Sequence, residues 1–142
     1  MKENKPITEA QLIEFEQYVD AKLPEDYRRF LLDCNGGYPD RAYSFIPEEN
    51  APIIVDYFYG IGDSVNDMKR VYDDYEGVLP NGFISIGDDP GGDEFILGLS
   101  ESEHEGQVFF WLHDQPHDEE MENTYFISNS FNEFFDDLKE DR

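Results

Sequence analysis

The stretch that most resembles a ligand set is His113-Asp114-Gln115-Pro116-His117-Asp118. Two imidazoles at i and i+4 bind a transition metal from one face of a helix, but Pro116 between them removes the backbone N–H and the space that a helix needs there. The segment reads as a polar loop after a strand, with a chelate completed by His104 as the alternative. Asp88-Asp89-Pro90-Gly91-Gly92-Asp93-Glu94 offers carboxylate oxygens on a Gly-rich turn, a chemistry suited to a hard cation such as calcium. The spacing is not that of a calcium-binding helix–loop–helix, because the twelfth residue counted from Asp88 is Leu99, where a bidentate Glu belongs. A hairpin turn with solvated acids accounts for it, and no metal or other cofactor is expected. Paired carboxylates also serve acid–base catalysis, yet with 34 acidic residues in 142 some pairs meet by chance. The sequence contains no G-x-S-x-G, no phosphate-cradling glycine loop and no H-E-x-x-H. Cys34 falls on the apolar stripe of a helix, away from solvent. The expectation is a protein that is not an enzyme.

The elements that must position these residues are legible from spacing. Thr8-Glu9-Ala10-Gln11 has the capping-box pattern, and Leu12, Phe15 and Val19 follow on one helical face, with Glu16 among them. A second helix opens at Pro24, where a missing N–H costs nothing, and carries Tyr27, Phe30, Leu31 and Cys34 before Gly36-Gly37. Short β-branched and aromatic runs predict strands over Ala42 to Ile46 and Ile53 to Tyr59. Asp63 or Ser64 is placed to cap a third helix bearing Val65, Met68, Val71, Tyr72 and Tyr75. Four more strands are expected over Phe83 to Ile86, Glu94 to Leu99, Gln107 to Leu112 and Thr124 to Ile127, joined by turns that suit antiparallel neighbours. Trp111 lies in a continuous apolar run typical of a strand buried on both faces. Ser130 caps a last helix with Phe131, Phe134, Phe135 and Leu138 on its buried side. Tyr38, Tyr43, Tyr57, Tyr59, Tyr72 and Tyr75 exceed what such a core requires, so some are expected on an exposed patch. The order predicts one α+β domain over residues 1–142: an N-terminal helix hairpin and a C-terminal helix packed on a largely antiparallel, mixed sheet.

A net charge of −24 tests whether such a chain folds at all. Leu, Ile, Val and Phe make up about 26% of it, above the roughly 20% below which disorder is expected, so a core forms and the charge lies on its surface. Not one Lys or Arg occurs from Val71 through Leu138, a stretch holding 18 Asp and Glu. Phosphate backbones and anionic lipids repel such a protein, so direct nucleic-acid or membrane binding is not expected. No apolar run approaches the roughly 18 residues a membrane span needs. A single Cys forms no internal disulfide and suits a reducing compartment, so a cytoplasmic location is expected. The acid-rich half is either a solubilising surface or a docking face for a basic protein.

Three motifs in order carry a resemblance. Leu23-Pro24-Glu25-Asp26-Tyr27-Arg28-Arg29-Phe30-Leu31-Leu32, ending in Asn35-Gly36-Gly37, resembles the second helix of the SUKH superfamily, which includes the Smi/Knr regulator domain of yeasts. The run from Phe83 through Leu97 is similar to its central strand, Gly-Asp turn and strand. Gly106 through Asp114 is similar to the strand that follows, and Ser130 to Phe134 fits the last helix. Gly87, Asp88, Gly92, Asp93 and Trp111 occupy motif positions, and Asp89-Pro90 is an addition inside the turn. The resemblance spans about residues 7 to 138. It implies an α+β fold and, for many bacterial members, an immunity protein (an antitoxin) that neutralises a toxin, often a nuclease, by binding it.

A nuclease toxin needs a basic groove for phosphates, and fixed carboxylates can occupy that groove as a competing polyanion. The expected partner is therefore a cognate basic toxin domain, and the expected contacts are Asp88, Asp89, Asp93, Glu94, Glu101, Glu103, Asp114 and Asp118. The alternative is a non-enzymatic regulatory scaffold that binds an endogenous protein or peptide, as the fungal relatives do.

Overall fold

The computed structural model describes residues 2–63, 66–114 and 121–140. Its first helix, α1 (Glu9–Val19), begins where Thr8 Oγ accepts from the Gln11 N–H while the Gln11 side chain accepts from the Thr8 N–H. Leu12, Phe15 and Val19 are buried as their spacing requires. Glu16 is buried with them, because its carboxylate accepts from the Leu23 N–H at 2.8 Å and from Arg28 Nε at 3.1 Å. That contact ties α1 to α2 (Glu25–Asp33), which Pro24 precedes as cap. Tyr27 and Leu31 reach the core, whereas Cys34 lies one residue past the helix in extended backbone, half-buried. Gly36 follows at φ +77°, and a Cβ there would stand 2.5 Å from the Phe58 carbonyl oxygen.

The strands are β1 (Lys2–Glu3), β2 (Gly37–Tyr38), β3 (Tyr43–Ile46), β4 (Ala51–Ile54), β5 (Tyr57–Phe58), β6 (Phe83–Asp88), β7 (Glu94–Gly98), β8 (Val108–Trp111) and β9 (Thr124–Ser128). Seven form one sheet in the order β1-β2-β5-β6-β7-β8-β9, and β3 with β4 forms a separate hairpin. Every strand pairing is antiparallel. With α3 (Met68–Tyr75) and α4 (Phe131–Asp136), the chain is the expected α+β domain.

Two local expectations change, and two short strands are added. The run from Ile53 to Tyr59 is not one strand. At Val55 and Asp56 the backbone exchanges partners, Val55 N–H donating to Ala42 and Asp56 N–H to Asp88, so its two halves join different sheets. The third helix starts later, at Asp67, whose carboxylate accepts from the Lys69 N–H; Val65 lies outside the described residues. The short β1 and β2 have too few residues for an alternating pattern to show.

Alternation along the central strands divides the core. Phe95, Leu97, Val108 and Phe110 face the main core with α1, α2 and α4, while Ile96, Phe109 and Trp111 face the other side with Phe83. That second layer is covered by Tyr75, Leu79, Met121 and Phe126, and Tyr75 meets the Trp111 indole edge-on at 5.6 Å between centroids. Trp111 thus belongs to a strand buried on both faces, as its apolar neighbours require. Of the six surplus tyrosines, Tyr38 is exposed, Tyr57 and Tyr59 are buried, and the others are half-buried.

Candidate functional site

Strand direction decides which acids can act together. β6 and β8 run one way and β7 and β9 return, so the turn after β6, the loop after β8 and Asp56 share one end of the sheet. The loop between β7 and β8, which holds Glu101 and Glu103, is at the opposite end, about 15 Å away along the strands. The structure therefore brings together Asp88, Asp89, Asp93 and Asp114 and separates them from Glu101 and Glu103. Asp118 lies outside the described residues, as does His117.

At the first end the turn is built by its own acids. Asp89 Oδ1 accepts from the Gly91 N–H at 3.0 Å and the Asp93 N–H at 2.8 Å, and the Asp89 N–H donates to the Asp93 carbonyl. Gly92, at φ +94°, occupies backbone that side chains resist, and a Cβ there would touch the His113 ring at 3.5 Å. Asp93 Oδ1 accepts from the His113 N–H at 2.9 Å and lies 2.6 Å from His113 Nδ1. The hydrogen bond that His113 donates to Asp93 holds the imidazolium above the usual histidine range. Partial burial raises Asp89 above the usual carboxylate range.

Asp93, His113 and Asp114 have ligand atoms within 4.8 Å of one another, the one such metal-sized group among the described residues. The Asp93 oxygen is already engaged with His113, and His113 and Asp114 are exposed, so the arrangement is a solvated ion pair on a turn. His104 cannot complete a chelate with it. That ring sits at the far end of the sheet against Phe83 and Phe109, with Nδ1 at 3.0 Å from the Gln107 side chain.

Glu94 was expected beside the exposed acids, and the structure places it inside, 3% exposed. It shares a sheet face with Ile96 in a strand buried on both sides, so no solvent position is left for it. Its Oε1 accepts from Ser85 Oγ at 2.5 Å and from Tyr59 Oη at 2.7 Å. The Glu94 charge also acts on Tyr75. Burial raises Glu94 to about 7, partly offset by the Ser85 and Tyr59 donors. Burial, then the charges of Asp56 and Asp89, raises half-buried Asp88 to about 6. Burial likewise raises Tyr59, and Tyr75 to about 12. Composition gives no sign of this polar pocket. The signal was the apolar pattern on both faces of Glu94-Phe95-Ile96-Leu97.

At the far end the Glu101 loop is docked by two backbone contacts with Lys22, whose N–H donates to Ser100 Oγ at 2.9 Å while the Ser100 N–H donates to the Lys22 carbonyl. Among the described residues no helix is long and apolar enough to cross a membrane.

Comparison with known proteins agrees with this architecture. The chain is 27% identical over 144 residues, covering 89% of itself and 72% of the relative, to an SPbeta prophage-derived uncharacterized protein, YokK, of Bacillus subtilis strain 168. The sequence profile described as the SMI1 / KNR4 family (SUKH-1) matches residues 6–137. A profile match across nearly the whole chain, on a fold with the expected helix hairpin, central turn and terminal helix, places this protein in the SMI1 / KNR4 family (SUKH-1).

Proposed function

We propose that this chain is a bacterial immunity protein that binds and neutralises a basic toxin domain, a nuclease being the class its charge best fits. The observation that carries the reading is the turn end of the sheet: Asp89 and Asp93, fixed by the turn's own hydrogen bonds, lie beside Asp114 in a chain half without Lys or Arg. Carboxylates held in place before binding lose little freedom on contact and match a phosphate-binding groove in charge. Asp88 supports this surface from below and Glu94 serves it from inside, and Asp118 is proposed as a further contact from its acidic character in the sequence alone. Glu101 and Glu103 form a second, separate acidic region. Neutralisation by occupying the groove asks no chemistry of this protein, and binding takes place in the cytoplasm, on protein and not on nucleic acid or membrane.

The test is titration calorimetry and stopped-flow association with the toxin domain encoded beside this gene. Binding tighter than micromolar at low salt is expected. Asp89→Asn with Asp93→Asn preserves the turn's acceptors and should slow association about tenfold at low salt, with a flatter salt dependence. Glu101→Gln with Glu103→Gln should change the rate less than twofold. Equal effects from the two pairs would count against the turn end as the docking face, and no binding would count against the function.

A further inference from the structure

Asp88 and Glu94 are register partners across β6 and β7, at the base of the turn that carries Asp89 and Asp93. Acids directly opposite each other repel, and within a low-dielectric interior two carboxylates do not both stay ionised. Among the described residues, the groups that act most strongly on this pair are neutral or acidic. The strand before and within the sheet offers Asp56 and Tyr59, α3 offers Tyr75, β6 offers Ser85, the turn offers Asp89, and β8 offers Trp111 as the register partner of Glu94. None of the groups that act most strongly on either charge is a Lys, Arg or His. Asp88 Oδ1 is buried and accepts no hydrogen bond among the described residues. The backbone at this point is already irregular, because the β6–β7 register shifts between Ser85 and Gly87.

We propose that a proton held by Glu94, opposite Asp88 in the strand register, latches the β6–β7 turn closed, so that the arrangement of Asp89, Asp93 and His113 at the docking end depends on pH. The link to docking rests on the function proposed above; the latch is a property of the free chain. Burial holds the closed pair's proton up to about pH 7 at Glu94, whereas an opened turn returns both acids to the ordinary carboxylate range. Between those limits the open form binds fewer protons. Opening therefore becomes easier as pH rises toward 7 and levels off above it.

Hydrogen exchange of the turn amides tests this on the free protein from about pH 5 to about pH 8, expressed as protection relative to intrinsic rates. Protection should fall by up to about tenfold per pH unit below pH 7 and then flatten. The Asp88→Asn, Glu94→Gln double variant keeps its hydrogen-bond acceptors and should give a flat profile, with each single variant intermediate. The single variants carry the test should the double variant fail to fold. Turn protection that ignores pH, or that falls as steeply in the variants, overturns the latch. So does a parallel fall in the α1 amides, which would report global unfolding instead. A latch that behaves as expected beside a toxin domain that does not bind supports the latch and removes only the docking reading.

Discussion

Asp93 engages His113 through a single oxygen, and that contact joins two loops that are 20 residues apart in sequence. The imidazolium owes its raised pKa first to this hydrogen bond, so Asp93→Asn should bring His113 back toward the ordinary value near 6.5, read by NMR titration of its ring protons. An unchanged titration would mean that the pair does not form in solution. Glu16 shows the opposite environment, a carboxylate drawn into the core because a backbone N–H and Arg28 converge on it. Glu16→Ala would strand the Leu23 N–H and one face of the guanidinium and should cost about 2 kcal/mol in urea unfolding, with Glu16→Gln recovering part of it. Neither contact is visible in the spacing of acids, since both depend on a donor from another segment.

At the scale of elements, the β5–β6 pairing positions the polar pocket, and Gly87 makes it feasible. A Cβ on Gly87 would lie 2.7 Å from the Tyr57 carbonyl oxygen, a backbone atom with no room to withdraw. Gly87→Ala should therefore push β5 from β6 and cost about 1–3 kcal/mol, while Gly91→Ala in the turn, whose nearest neighbour is the Asp89 carboxylate at 3.6 Å, should cost far less. Denaturation midpoints of the two variants give the comparison. Helix starts at Thr8 and Ser130 were legible because the cap and its acceptor lie within one turn. The start of α3 was not, since Asp63, Ser64 and Asp67 are all capable caps and packing of Met68 against the core chooses among them. The split of the Ile53–Tyr59 run was hidden for the same reason: β propensity specifies extended backbone and leaves the choice of pairing partner to the rest of the fold.

For the whole molecule, a net charge of −24 on one domain makes self-repulsion a standing cost. Raising NaCl from about 10 mM to about 500 mM shortens the screening length severalfold and should raise the melting temperature; a melting temperature that falls or stays level would show that local ion pairs outweigh the repulsion. Of the expected contact set, the half-buried turn acids and the β7–β8 loop acids share a cation-free stretch of sequence, and the antiparallel sheet sends them to opposite ends. By itself the sequence determined most of the helix faces, the four consecutive strands β6 to β9, the α+β class and the sign of the surface, all of which follow from local periodicity and composition. Only the tertiary structure decided that Glu94 is interior, that His104 packs on Phe83, and which carboxylates are neighbours. Burial and proximity are set by the pairing of distant segments, and no local pattern of residues encodes the direction in which a neighbouring strand runs.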